Sequence, residues 1–394
     1  MGTNGCGPYP AQVSMGKPQV LVFIDWYKPF FKAGGPVRSM VNLVDHLHDR
    51  IDLHIVTGDR DYTALSPSSE VEPDRWLELD RGERVQYVSP EQRTRPRWRA
   101  MLKERKWDVI YINGLYSVWS SIVPLWLLRG SSRRRIVAVR GMLAAGAMQQ
   151  STLKKRAFLG VMKLFGCFKG VEFQATNTEE VKDIKRWIAS DAIIHLVPNL
   201  GRKVTDDAPL PIGKTPGSLR LVSVARIAEE KNTLFAIERL KGVKGSVRFD
   251  LFGAIYDAGY WQRCQEAIAA LGRNVVVEWH DHIAQDEAAS VLAASHVLFL
   301  PSAGENFGHA MLESLVAGRP MVISDRTPWK NLADKRAGWD LPLDRADRFT
   351  EVIQGLVDMD QAAFNVWSAG AASLGMRYLN DPEPVEQNFR LFCP

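Results

Sequence analysis

Pro301-Ser302-Ala303-Gly304-Glu305-Asn306-Phe307-Gly308, running on through Glu313 to Gly318-Arg319-Pro320, decides how this chain is read. His296-Val297-Leu298-Phe299-Leu300 comes just before it. That run is short, apolar and rich in strand formers, and it stops at Pro301, as a buried parallel strand does. Gly304 and Gly308 let the backbone turn sharply and approach a bound group. From His309 onward Met311, Leu312, Leu315 and Val316 fall at helical spacing, and Gly318 with Pro320 closes the helix. The reading is strand, tight loop, helix. It puts Glu305 in the loop and Glu313 about one turn into the helix, at the carboxyl end of a strand, where open α/β sheets hold ligands. Two carboxylates on one ligand is the expectation.

The same alternation extends in both directions. Ahead of the stretch, strand patterns at 219–224, 247–252 and 275–279 alternate with helical ones at 232–240, 260–271 and 287–294. After it come a strand at 322–324, helices at 348–359 and 361–379, and a last helix ending Phe389-Arg390-Leu391-Phe392. The first half repeats the scheme, with strands at 17–26, 52–57, 85–88, 109–113, 136–140, 171–175 and 193–197. Such alternation means doubly wound parallel sheets. Two Rossmann-like α/β domains are therefore expected, at 17–200 and 218–378. A Pro- and Gly-punctuated linker spans 201–217, and 379–394 packs back toward the first domain.

With 394 residues the chain is too long for one ordinary core, and 46% hydrophobic with 24% charged residues is a globular composition. Four dispersed cysteines form no zinc or redox motif and suit a reducing cytoplasm. Met1 to Gly7 lacks signal-peptide order and reads as a loose tail. The longest apolar run, 118–128, has eleven residues against the roughly 20 a membrane span needs. Charge divides unevenly: residues 1–200 carry 29 Lys and Arg against 20 Asp and Glu, net +9, while 201–394 carry 21 against 25, net −4.

The second domain's first strand leads into Ala225-Arg226-Ile227-Ala228-Glu229-Glu230-Lys231. Arg226 and Lys231 can then face the crevice that holds Glu305 and Glu313. Paired cations suit a diphosphate, and they stabilise the charge on its leaving oxygen when a bond to it breaks. The plain alternative is two surface cations before a helix. In the first domain, Gly34-Gly35-Pro36-Val37-Arg38 lies between a strand and the helical pattern Met40, Leu43, Val44, Leu47. It reads either as a phosphate cradle at a helix N-terminus or as an ordinary turn. It is neither a dinucleotide fingerprint nor a Walker loop.

Glu305 and Glu313 resemble the E-x7-E motif of the retaining family 4 glycosyltransferases, and Arg226 with Lys231 resembles that family's diphosphate-binding pair. Gly34-Gly35-Pro36-Val37-Arg38 looks like its first-domain glycine loop and Pro198-Asn199 like its entry to the linker. Thr327-Pro328-Trp329-Lys330 and Gly338-Trp339 look like features of a subgroup that builds bacterial surface polysaccharides. The resemblance implies a GT-B fold, with two parallel-sheet domains facing a central cleft. It implies a donor site of Gly34, Gly35, Arg38, Arg226, Lys231, Glu305, Asn306, Phe307, Gly308, His309 and Glu313, with Glu305 on the sugar, Glu313 on the ribose, and Arg226 and Lys231 on the diphosphate. Glu305, Arg226 and Lys231 are the catalytic candidates. Neither cofactor nor metal is implied, because the UDP- or GDP-sugar donor is itself a substrate. Asp59-Arg60-Asp61 and Asp358-Met359-Asp360 spell a metal-binding Asp-x-Asp, but chance is the better reading of both.

One departure concerns the acceptor side. Where many relatives carry a His, this chain has Asn113 and Arg140. Asn113 can bond a sugar hydroxyl and Arg140 can meet an anionic acceptor, but neither is a suitable general base near neutral pH. Transfer in which the leaving phosphate takes the acceptor proton fits better. His280-Asp281-His282 is read as a base-pocket lining or a solvated loop, and His309 as a neighbour of the donor.

The implied activity is sugar transfer to a saccharide or lipid-linked saccharide. A nucleotide-sugar epimerase, a glycosyl phosphorylase and a non-catalytic sugar-nucleotide binder are the alternatives. Two basic stretches, 93–106 with Trp98 and 153–168 with its phenylalanines, are candidates for an anionic membrane surface at the inner face of the cell membrane. The tryptophan among arginines favours the first; the second reads more simply as a solvated helix face. Nothing resembles a nucleic-acid-binding motif.

Overall fold

In the first half of the chain, apolar strand runs bounded by turns assemble into eight strands: β1 (Gln19–Phe23), β2 (Asp52–Gly58), β3 (Trp76–Glu78), β4 (Arg84–Val88), β5 (Val109–Asn113), β6 (Arg134–Ala138), β7 (Glu172–Ala175) and β8 (Ile193–Leu196). They form one sheet in the order β3-β4-β2-β1-β5-β6-β7-β8. The second half supplies β9 (Ser218–Val224), β10 (Ser246–Phe252), β11 (Val275–His280), β12 (Val297–Leu300), β13 (Met321–Ser324) and β14 (Gly338–Leu341), in the order β11-β10-β9-β12-β13-β14. This computed structural model describes residues 16–149, 152–203, 212–281 and 285–393; the N-terminal tail, the middle of the linker and His282 lie outside them.

Among the described strands β3 alone pairs antiparallel. Strand order reverses between β1 and β5 in the first sheet and between β9 and β12 in the second. A crevice opens at the carboxyl edge of a doubly wound sheet at such a point. The glycine loop and Asn113 therefore lie at one switch point, and Arg226, Lys231 and Glu305 at the other. The expected α/β architecture of two parallel-sheet domains is the one observed.

β3 and β14 escape sequence reading for physical reasons. β3 has three residues and pairs only at an edge. β14 begins at Gly338, whose φ is +140°; a Cβ there would lie 2.2 Å from Met321 O, so close strand approach demands glycine where a periodic pattern would show a side chain.

The first membrane candidate is corrected by the core. Trp98 is 2% exposed, stacks on Phe23 at 6.3 Å and donates Nε1–H to Trp119 O, and Trp107 is also buried. Alternate faces of that helix separate tryptophan from arginine, so sequence adjacency there was not spatial adjacency.

At the domain junction, Asn42 Nδ2 donates to Leu200 O, and Tyr378 OH donates to Asn199 O at 3.0 Å. A Cβ on Gly201 would meet Leu312 and Leu379 side chains at 2.6 and 2.7 Å. The terminal helix Glu383–Phe392 places Leu391 and Phe392 in the first domain's core, with Phe392 edge-on to Tyr111.

Candidate functional site

β9 and β12 are adjacent parallel strands, so the loops that leave their carboxyl ends meet. Ala303 N donates to Glu230 O at 2.9 Å, tying those loops together. Lys231 ends a short 3-10 turn, and Asn232 then takes a left-handed φ of 61° before the next helix. Lys231 Nζ donates to Glu305 Oε1 at 2.6 Å, and Ser302 Oγ donates to the same oxygen at 2.8 Å. Arg226 lies over the Tyr256 ring at 4.5 Å and donates to Glu230 Oε1 at 3.1 Å.

Gly308 enters the next helix in the left-handed region, with φ 79°, and a Cβ there would lie 2.7 Å from Met311 Sδ. The helix His309–Val316 carries two polar side chains toward the first domain. Glu313 receives Arg38 Nη1 at 3.2 and 3.3 Å, with both side chains about 15% exposed or less. Burial pushes the Glu313 carboxyl above its ordinary range, while Arg38 and Arg202 pull it back. His309 Nε2 lies 2.9 Å from Ser39 Oγ. Ser39 spends its own proton on Gly35 O, so His309 is the donor and carries its hydrogen on Nε2. Burial, with Arg38 and Arg140 nearby, pushes the His309 imidazole down to about 3, so it is neutral at physiological pH.

Several residues expected on the donor stand elsewhere. Arg38 sits on Glu313 rather than free for a phosphate. Asn306 faces the first domain: Asn177 Nδ2 donates to its backbone O at 2.9 Å and to Oδ1 at 3.0 Å, and it packs on Gly141. Phe307 is 7% exposed, among His309, Trp329 and Tyr378, and is a core residue under the loop. Gly34 has φ 76° at the entry to the helix Gly35–Leu47, and a Cβ on it or on Gly35 would meet nothing within 4 Å, so backbone approach there is open.

Of the two residues expected on the acceptor, Arg140 is held in a left-handed conformation, φ 52°. It donates Nε–H to Asn113 Oδ1 at 2.6 Å, Nη2–H to Tyr111 OH at 2.7 Å, and Nη1–H to Asn199 Oδ1. It thus joins β5 to the start of the linker, with three of its five donors committed. Asn113 Nδ2 is buried and has no hydrogen-bond partner among the described residues. Unforeseen residues complete the cleft. Glu180 accepts from Gly141 N at 2.6 Å and from Thr176 N at 2.7 Å, and Tyr62 stacks across the cleft on Tyr256 at 5.0 Å and 3°. No local motif marks them, because each comes from a different crossover; Tyr256 alone had a signal, in following the strand beside β9.

Other candidates have ordinary duties. Asp360 caps the helix Gln361–Leu379 through Ala363 N at 2.8 Å, and Asp59 pairs with Arg60. His280 is bonded to Asp250 at 2.9 Å and stacked on Phe252 at 4.4 Å. A surface hollow of about 470 Å³ lined by Lys17, Gln19, Asp52 and Glu83 lies at the amino edge of the first sheet, opposite the cleft.

This pair of doubly wound domains is the GT-B fold. Solved structures share it over almost the whole chain. Sucrose-phosphate synthase from Thermosynechococcus elongatus is 17% identical with a TM-score of 0.71, covering 96% of this chain and 98% of that one. Anabaena HepE, in complex with UDP and glucose, is 14% identical with a TM-score of 0.67, covering 95% and 98%. WaaG, a glycosyltransferase involved in lipopolysaccharide biosynthesis, is 12% identical with a TM-score of 0.63, covering 95% and 98%. No curated protein matches the sequence. Residues 218–359, which hold β9 to β14 and both carboxylates, match the family described as Glycosyl transferases group 1. That match lies within the second domain of the GT-B molecule.

Proposed function

We propose that the protein is a retaining, metal-independent glycosyltransferase that moves a sugar from a UDP- or GDP-sugar to a saccharide or lipid-linked saccharide, in the cytoplasm at the inner face of a membrane. The observation that carries this reading is the convergence of Arg226, Lys231 and Glu305 at the β9/β12 switch point, opposite the open glycine loop at the β1/β5 switch point. The group 1 match and the UDP and glucose of the HepE structure support a nucleotide-sugar donor.

The proposed donor lies with its ribose hydroxyls on Glu313, its diphosphate against Arg226, Lys231 and the Gly34-Gly35 backbone, and its sugar beside Glu305. Glu313 then exchanges Arg38 for ribose, and Arg38 becomes free to meet phosphate. In the reaction the bond from the anomeric carbon to the phosphate oxygen breaks, and its electron pair leaves with the nucleoside diphosphate. The acceptor oxygen bonds the same face of that carbon, and its proton passes to the leaving phosphate oxygen. Arg226 and Lys231 stabilise the charge that develops there. Neutral His309 supplies no positive charge, and its free Nδ1 is an acceptor for a donor hydroxyl.

Thermal shift with UDP, GDP and their sugars identifies the donor, because a ligand that binds the native state raises its stability. The proposed transferase releases nucleoside diphosphate slowly from that sugar nucleotide, with activity intact in chelator. Loss of activity in chelator, restored by Mg²⁺, contradicts the metal-free chemistry; product from donor alone as an epimer, or a need for free phosphate, contradicts transfer.

A further inference from the structure

The helix Thr152–Leu164 of the first domain has two apolar faces where a surface helix ordinarily has one. Phe158, Leu159 and Met162 turn inward to the core. Leu153, Ala157, Gly160, Val161 and Leu164 recur at the spacing of a second stripe, and it points out. Leu153 and Leu164 are each 82% exposed, Val161 50% and Phe165 46%. Phe165 meets the half-exposed Trp126 at 5.1 Å, which widens the patch. Contiguous exposed apolar surface of this kind marks an interaction site.

Charge names the partner. Residues 109–171 contain no Asp or Glu and ten Lys or Arg. At 100° per residue Lys154 lies on one flank of the outward stripe, and Arg156 and Lys163 lie on the other. Arg129 sits over the Trp126 ring at 4.5 Å, and Lys169 is exposed just beyond the helix. Among the described residues none of these five cations has an ion-pair partner, whereas Arg248, Arg263, Arg345 and Arg348 on the second domain's surface are all paired. A second copy of this face would bring like charge against like, and nucleic acid has no use for the leucines. Apolar side chains between unpaired cations fit a bilayer with anionic headgroups.

We propose that this outward face, with Phe165 and Trp126, docks the protein on an anionic lipid bilayer. The crossover from β6 to β7 must run from the carboxyl edge of the first sheet, where the cleft lies, to its amino edge. Leu153 is therefore at the cleft end and Leu164 at the far end, and the docked face leads to the acceptor side. This gives a structural basis to the proposed place at a membrane, and it rests on that reading for its purpose, the presentation of a lipid-linked acceptor.

The test is co-sedimentation of the full chain with vesicles of phosphatidylcholine alone or with about one third phosphatidylglycerol, across a salt series. The proposal expects sedimentation with the anionic vesicles only, weakened by salt. It expects L153Q/L164Q and K154E/K163E each to reduce partitioning by about tenfold or more. Donor hydrolysis without vesicles stays at the wild-type rate in both variants, so a failure of docking is distinguishable from a failure of the transferase reading. Equal binding to neutral vesicles, wild-type binding by L153Q/L164Q, or a dimer that the variants abolish without any vesicle binding would each overturn it.

Discussion

Lys231 and Arg38 each hold a carboxylate of the same loop-and-helix unit, but they do so from different domains. Lys231 reaches Glu305 from the neighbouring strand of the same sheet, and that strand pairing fixes the geometry. Arg38 reaches Glu313 across the cleft, so that contact exists only while the two domains face each other as they do. In the proposed reaction Arg226 and Lys231, which stabilise the charge on the leaving oxygen, belong to one domain, while the pairing of Glu313 and the approach of the Gly34-Gly35 backbone and Arg38 to the diphosphate depend on how the first domain sits. The chemistry and the cleft geometry are thus separable by mutation.

The largest effect is expected at Lys231. Lys231→Ala removes a cation from the leaving phosphate and is expected to lower turnover by about 100-fold or more; it also leaves Glu305, whose side chain is 12% exposed, without its ion-pair partner, so the thermal midpoint should fall as well. A wild-type rate would remove Lys231 from the reaction. Glu313→Ala comes next: affinity for the bare nucleoside diphosphate, measured by calorimetry, should fall by about tenfold, as expected for loss of charge-assisted hydrogen bonds to ribose. Unchanged affinity would leave Glu313 with Arg38 as its only partner.

Arg38→Met tests the cross-domain half. It leaves a largely buried carboxylate unpaired and should cost on the order of 2 kcal/mol at neutral pH. Glu313 already has a folded value raised above 4.5, so it binds more protons folded than unfolded; its contribution favours the fold at low pH and is lost as pH rises. Without Arg38 the rise is larger, so the stability gap from wild type should widen from about pH 4.5 toward neutrality; a gap that is flat in pH contradicts the pairing. The smallest effect is at His309. Its folded value, about 3, lies below the ordinary 6.5, so it costs stability as pH falls through that window, and His309→Gln should soften the acid side of the stability profile. An unchanged acid limb would contradict its burial as a neutral ring.

This division also marks what the sequence could show. Glu305, Glu313, Arg226 and Lys231 lie within short strand-loop-helix units whose periodicity and glycines place them at a strand's carboxyl edge, so that placement, with the contact of Lys231 and Glu305, was legible. Asn306 and Phe307 share that loop, yet a loop's local pattern does not say which side chain faces ligand, which turns to Asn177 and which turns to the core. Asn177 and Glu180 open one helix after β7 and Tyr62 follows β2, and only the packing of the two domains brings Asn177 to Asn306 and Tyr62 to Tyr256. The tryptophans at 98 and 107 and the leucines at 153 and 164 mislead in opposite directions. Composition alone cannot tell a helix's inward face from its outward one when both are apolar.

The most direct test is donor hydrolysis followed by proton NMR, in chelator and without acceptor, once the donor is identified. The account predicts slow release of nucleoside diphosphate and of a sugar that first appears with the donor's own anomeric configuration, with both signals lost in Lys231→Ala. Release of the opposite anomer, or tight donor binding with no release at all, would contradict it.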